Sequence, residues 1–339
     1  MTGGRSGAPI ALGTAPGRWV VVVTVLASGM AFLDATAVQV ALPAIGAEFD
    51  ASLSGLQWTV TGYTLTLAAL ILLGGSLGDR YGRRRVFLVG VVWFAIASLI
   101  CGLAQSTGQL VAARALQGIG GALLTPGSLA LIQSSFRPGD RARAIGLWSA
   151  LSGIAGLIGP FLGGVLVDSV SWRLVFLINV PVAVLIVLVA GRHVPESRDP
   201  GHHGRFDYPG ATLGALALGG LTYALIAAGE DPARPDVLTS AAVGIATGVA
   251  FVVRERWAAE PMLPPRLFRD RQFTGANLAT LAVYGALGGS GLFLVLQLQT
   301  VLGYEATGAG AAMLPSIALI TLLAPGSAPW RSGSGPGGR

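Results

Sequence analysis

Apolar residues run through the chain in ten long stretches separated by short polar segments: residues 19–43, 56–77, 86–104, 108–132, 144–167, 174–190, 208–228, 238–253, 273–297 and 306–323. Each approaches the roughly 20 residues that a helix needs to cross the hydrocarbon core of a bilayer. The sixth and eighth are short and are expected to extend into their flanks. The pattern predicts an all-α polytopic membrane protein. The loop charges test that count. With the N-terminus in the cytoplasm, 19 of the 22 basic residues fall on the inner side; Arg173 and Arg234 lie outside, and Arg114 lies within a span. Glu48, Asp50, Asp168, Glu230, Asp231, Asp236 and Glu305 fall on the outer side. This is the asymmetry of the positive-inside rule, and a miscounted span would invert every later loop. The expected topology is therefore ten spans in the cytoplasmic membrane with both ends cytoplasmic.

Composition narrows the function classes. Hydrophobic residues make up 53% of the chain and charged residues 11%, against roughly 25% charge in soluble domains, which argues against a soluble enzyme. Glycine occurs 50 times without a Gly-X-Y period, as suits close-packed transmembrane helices. The net charge of +6 is carried by Arg alone, placed between spans rather than on a basic face, so no nucleic-acid partner is expected. The one cysteine, Cys101, lies in an apolar run and excludes an internal disulfide or a multi-cysteine metal site. The polar stretch after the sixth span holds His193, His202 and His203 with Glu196, Asp199 and Asp207; it reads as a solvated linker rather than a metal site. No Walker loop, G-x-S-x-G or H-E-x-x-H string occurs, so neither ATP-driven export nor an enzyme is expected. No catalytic residue, cofactor or metal is assigned.

Two ionisable residues lie inside the spans, Asp34 and Arg114. Charges at such depth are costly and are functional candidates by default. Asp34 is ~13 Å from the outer end of span 1 and Arg114 ~9 Å into span 4, at 1.5 Å per residue. The depths permit pairing, but the sequence does not make the spans neighbours, and a purely structural buried pair is the alternative. Thr36 and Gln39 are polar positions that either line a substrate path or bond between helices. Trp19, Trp58, Trp172 and Trp257 lie near span ends, where interfacial anchors sit.

Two strings are more particular. Residues 75–85 read GSLGDRYGRRR. Here Gly75 and Gly78 allow close backbone approach and Gly82 a tight turn. Asp79, among Arg80, Arg83 and Arg84, either caps a neighbouring helix N-terminus or pairs with Arg83. Residues 146–164 read GLWSALSGIAGLIGPFLGG. Gly146, Gly153, Gly156, Gly159, Gly163 and Gly164 keep small residues on adjoining faces for backbone-to-backbone packing, and Pro160 removes a helix hydrogen bond and invites a bend.

The 75–85 string closely resembles the signature between the second and third helices of the major facilitator superfamily. LDATAVQVALP (33–43) resembles the first-helix motif of its drug:proton antiporters with 14 spans. RALQGIGGA (114–122) resembles the fourth-helix motif, 146–164 the fifth-helix antiporter motif, with Ala155 where Gly is frequent, and WRLVFLINVP (172–181) the start of helix six. VPESRD (194–199), PMLPPRLF (261–268) and the stretch near 299–315 are also similar. The resemblance implies the major facilitator fold and a proton-coupled antiporter that exports hydrophobic or cationic drugs, as in antibiotic resistance. It implies Asp34 and Arg114 as the proton-coupling pair. It makes residues 75–84 a conformational switch and gives the fifth-helix motif a role in limiting leakage. The proton would be the coupling ion; the partners would be the small-molecule substrate and the lipid bilayer.

The resemblance also divides the chain. It implies a cytoplasmic tail (1–17), a six-helix bundle (18–190), a cytoplasmic loop (191–207), two inserted helices (208–253) and the first two helices of a second bundle (254–325). A low-complexity tail (326–339) follows. Four helices of the family pattern are absent, including the late helix against which the family's counterpart of Asp79 packs. The Gly-, Ser- and Pro-rich end GSAPWRSGSGPGGR suggests a frameshift, a truncated gene or an incomplete gene model. The alternatives are thus a non-transporting fragment or an uncoupled facilitator.

Overall fold

Short polar residues start the helices. Thr14, Ser52, Ser106, Asp207 and Asp270 each accept a backbone N–H from the first turn that follows, satisfying donors that a helix start leaves open. The computed structural model describes residues 9–197, 207–229, 231–258, 263 and 265–323. His202, His203, Asp199, residues 1–8 of the expected N-terminal tail and the 326–339 segment lie outside the described residues. The helices are α1 (Ala15–Phe49), α2 (Leu53–Tyr81), α3 (Arg83–Gly102), α4 (Thr107–Ser135), α5 (Pro138–Ser169), α6 (Arg173–Leu177), α7 (Asn179–His193), α8 (Tyr208–Ala227), α9 (Pro235–Trp257), α10 (Arg271–Leu296) and α11 (Ala306–Leu323). α6 and α7 meet at a turn around Ile178 and together form the sixth span, Arg173–His193. α10 continues through a π-helical turn, Gln297–Val301. Among the described residues, nine helices are long and apolar enough to cross a membrane; α11 occupies the tenth predicted stretch.

The first six spans form one bundle, in which α4 packs on α2 and α3 and α1 packs on α5. Glycine makes two of these crossings possible. A Cβ on Gly120 of α4 would fall 2.6 Å from Phe94 N of α3, and one on Gly163 of α5 would fall 2.8 Å from Ala37 Cβ of α1, closer than atoms can pack. The bundle core divides into two apolar layers. One contains Val20, Val23, Met30, Phe87, Phe94, Leu124, Leu131 and Ile186; the other contains Ala37, Leu42, Ile45, Leu110, Val175 and Phe176. On five elements the residues between the layers are polar: Asp34 on α1, Thr59 on α2, Ser98 on α3, Arg114 and Gln117 on α4, and Asn179 on α7, all buried. Large apolar side chains such as Leu99, Leu188, Leu225 and Val249 face outward, as expected for a surface solvated by lipid.

Ends that the arginine pattern assigns to one side lie together. Ile10 bridges to Phe136 in the α4–α5 loop, and Leu12 N donates to Asp140 Oδ2 at 3.1 Å. At the opposite end, Arg173 donates to both Glu48 carboxylate oxygens at 2.8 and 2.7 Å and to Ala104 O at 3.2 Å. Trp172, expected as an interfacial anchor, is buried there instead, its Nε1 donating to Glu48 at 2.7 Å.

α8 and α9 form a hairpin that packs on α2, with Trp58 and Tyr223 ring centroids 5.9 Å apart. Its base is tied by Arg254, which pairs with Asp207 at 2.7 Å. That guanidinium, and then the Gly210 N–H, hold the Asp207 carboxyl below the usual carboxylate range despite its burial. α10 lies along α1, where Gln299 Nε2 donates to Val40 O at 2.9 Å, and α11 lies along α5.

Candidate functional site

The polar layer is a single hydrogen-bonded cluster. Asp34 is fully buried and Arg114 is 1% exposed. Arg114 Nη1 donates to Asp34 Oδ2 at 2.5 Å. The other carboxylate oxygen, Oδ1, accepts from Gln117 Nε2 at 2.8 Å and from Asn179 Nδ2 at 2.9 Å. Arg114 is fixed in turn. Its Nη1 donates to Gln117 Oε1 at 2.6 Å, its Nε donates to the Thr59 carbonyl at 3.0 Å, and its guanidinium lies over the Tyr63 ring, 4.4 Å from the centroid. Ser98 Oγ accepts from both amides, Gln117 at 2.8 Å and Asn179 at 3.2 Å, and Cys101 Sγ donates to Gln117 Oε1 at 3.7 Å. Every neighbour of the carboxylate is a donor, which is what an ionised acid needs away from water.

The structure therefore brings Asp34 and Arg114 together as a pair. Gln117, Asn179, Ser98 and Tyr63 were not singled out in the sequence. Gln117 was recoverable, because it lies three residues after Arg114 and shares its helix face. Asn179 and Ser98 are single polar residues in apolar runs, a weaker signal. Thr36 and Gln39 lie outside the cluster. Thr36 Oγ1 bonds to Phe32 O and Leu33 O of its own helix, where Gly159 of α5 packs on it, and Gln39 faces Gly291 of α10.

The 75–85 string resolves the choice left open for Asp79: it pairs with Arg83 at 2.8 Å. The N-terminus of α3 is capped by a residue assigned in the sequence only to a solvated linker. Glu196 accepts from Arg84 N at 3.0 Å and from Arg85 N at 3.2 Å, while Arg84 Nη1 reaches Val194 O at 2.7 Å. Gly82 adopts φ +113° beside this carboxylate, a conformation that requires glycine, and Arg80 lies over Tyr81. The close approach expected at Gly75 and Gly78 is not found: a Cβ would meet Pro126 at 3.8 Å on the first and Arg83 at 3.9 Å on the second, ordinary contacts that do not require glycine. Of the expected histidine–acid group, His193 stacks on Trp19 at 4.9 Å.

In the fifth-helix string the small-residue reading holds for part of the motif. Gly159 and Gly163 face α1, Ala155 packs on Gly29, and Gly164 lies against the Ala306–Thr307 backbone while Gly310 of α11 lies against Pro160. Gly146 and Gly153 depart from it, because among the described residues a Cβ added at either would meet no atom of another helix within 4 Å. At the end of α5, Asp168 accepts from Ala306 N at 3.1 Å and Thr307 N at 2.7 Å, capping α11 from another helix.

A sequence profile of the Major Facilitator Superfamily matches residues 24–333. The chain belongs to this superfamily. Among curated Major Facilitator relatives, it is 39% identical over 305 residues to the methylenomycin A resistance protein of Bacillus subtilis, covering 89% of this chain and 65% of that one. It is likewise 39% identical over 314 residues to the tetracenomycin C resistance and export protein of Streptomyces glaucescens, covering 91% and 58%. The chain thus spans less than two thirds of the length of these relatives. The crystal structure of the peptide transporter POT in complex with sulfate shares the fold at a TM-score of 0.67 and 14% identity, over 93% of this chain and 69% of that one. The chain is a multi-span Major Facilitator membrane protein whose relatives are named for drug resistance and export.

Proposed function

We propose that the chain acts as a proton-coupled antiporter exporting a hydrophobic or cationic small molecule across the cytoplasmic membrane, with both termini cytoplasmic. The observation that carries this reading is the Asp34–Arg114 pair, sealed between two apolar layers. A carboxylate there holds its charge only while Arg114 and the two amides serve it. A proton arriving at Asp34 removes that charge and loosens the Arg114 contact; a cationic substrate competes for the same carboxylate. Proton and substrate then bind in alternation, which is the requirement of antiport. The relatives named for antibiotic resistance and export support the substrate class. The Asp79–Arg83 pair and the Glu196 cap serve as the inner conformational switch in this reading, and bundle rocking exposes the site to each side in turn.

The test is Asp34→Asn in inverted membrane vesicles given a pH gradient and a fluorescent cationic drug. The expected result is loss of gradient-driven drug movement. Movement equal to that of the unmutated chain would refute the role of Asp34. Asp79→Asn is expected to slow transport with little change in drug affinity.

A further inference from the structure

Thr36 and Gln39 share one face of α1, and the structure separates their roles. The Thr36 hydroxyl is spent on Phe32 O and Leu33 O of its own helix. The Gln39 amide, within the first span, has no hydrogen-bond partner among the described residues. An amide without a partner is costly in a bilayer unless it lines a wet cavity or meets a ligand. Other amides in the spans are paired: Gln117 and Asn179 with Asp34, Asn277 with Phe273 O, and Gln299 with Val40 O.

Gln39 stands at the closed end of a cleft between α1 and α10. Its Oε1 lies 3.1 Å from the place a Cβ would take on Gly291, so the bare glycine leaves the amide room. After Gly291 the two helices meet: Leu292 and Leu296 pack on the bundle core, Val295 is fully buried, and Gln299 reaches Val40. Before it they part, and every α10 residue from Gly275 to Gly288 is exposed. Spacing puts an aromatic ring on each wall. Phe32 precedes Gln39 by seven residues and Tyr284 precedes Gly291 by seven, about two helical turns in each case and therefore on the same face. Phe32 is 50% exposed beside Gly156 of α5, and Tyr284 is 72% exposed. Residues 275–291 of α10 carry no charge; the one charge of α1 in this stretch, Asp34, is fully buried and turned away among its donors.

We propose that this cleft holds a flat ring system of the exported molecule, and that Gln39 reads an uncharged hydrogen-bonding group, a carbonyl or a ring N–H, at the leading edge of that ring. Phe32 and Tyr284 supply the apolar walls along which the ring lies. The Gln39 amide offers a donor end and an acceptor end at the closed end of the cleft. Gln39 is thus a specificity-determining residue, while Phe32 and Tyr284 hold flat apolar cargo whether or not it carries a polar group. The inference rests on the export reading for its cargo and on neither Asp34 nor the proton.

The test is equilibrium binding to the chain in lipid nanodiscs, with binding to empty nanodiscs subtracted. Two probes are compared: acridone, whose fused rings carry a carbonyl and an N–H, and anthracene, the fused rings alone. In Gln39→Met, which keeps the length and removes the amide, acridone is expected to bind about fivefold more weakly and anthracene as before. Gly291→Ala, which crowds the amide from α10 and leaves α1 unaltered, is expected to weaken acridone alone. Phe32→Ala is expected to weaken both probes by a similar factor, and Thr36→Val neither. Retained anthracene binding reports that the Gln39 and Gly291 variants are folded. Acridone binding that is unchanged in Gln39→Met, or both probes weakened equally in a Gln39→Met chain of unchanged thermal melting, overturns the role of Gln39 and leaves the export reading standing. Neither probe binding to an unmutated chain that still moves the fluorescent drug across vesicles overturns this inference alone; neither probe binding to a chain that moves no drug overturns the export reading with it.

Discussion

Asp34→Asn is also a stability experiment, and the structure fixes what it costs. In the native cluster the carboxylate accepts three hydrogen bonds, from Arg114 Nη1, Gln117 Nε2 and Asn179 Nδ2, and offers none. An asparagine has one acceptor and one donor end. Whichever way it turns, its NH2 meets a donor: the guanidinium on one side or two amides on the other. Arg114 keeps its charge at 1% exposure and loses its counter-ion. Breaking a buried pair from one side costs about 3–5 kcal/mol. Removing the cation as well, in Asp34→Asn with Arg114→Met, takes away the stranded charge, so the double variant should be more stable than the sum of the singles by at least about 2 kcal/mol. The assay is reversible unfolding in mixed micelles followed by tryptophan fluorescence, for the four chains of the cycle. A coupling below about 0.5 kcal/mol would refute the claim that the two charges depend on each other in the folded bundle.

Three further outcomes follow from other parts of the molecule. Glu196→Ala uncaps α3, and amide hydrogen exchange at Arg84 and Arg85 should rise about fivefold, as the loss of a cap worth about 1 kcal/mol implies. Asp168→Ala removes both carboxylate contacts to α11; spin labels at Val170 and Tyr304 should show a broader distance distribution, and an unchanged one would mean that the cap does not hold the helix ends together. The Asp207 carboxyl is held below its ordinary range by Arg254. Its contribution should therefore be present above an unfolded value of about 3.9 and be lost as pH falls through the lower folded value. Hydrogen exchange in α8 and α9, corrected for intrinsic rates, should show this acid-side loss, and Asp207→Asn should lack it.

The fold was legible in the sequence because its largest energetic constraint is written in residue order. A bilayer demands long apolar helices and an arginine asymmetry, and both can be counted. The Asp34–Arg114 pair was legible as two charges at compatible depth, since a charge in an apolar run stands out. What completed the site did not stand out. Asn179 and Ser98 are neutral, occur once in otherwise apolar helices, and matter only because α3 and α7 bring them to the level of Asp34. Glu196 was hidden for the opposite reason: an acid in a polar loop looks solvated until the chain folds it onto the α3 N-terminus. The fifth-helix motif was read too evenly. Spacing places small residues on faces, but only tertiary packing decides that Gly163 and Gly164 meet a backbone while Gly146 meets none.

The most direct measurement is the exchange itself. The chain is reconstituted in liposomes carrying a pH-sensitive dye, and a cationic drug gradient is imposed without a pH gradient. The account predicts proton movement opposite to the drug, abolished by Asp34→Asn and restored with the carboxylate. Drug flux with no accompanying proton movement, the same with and without Asp34, would contradict it.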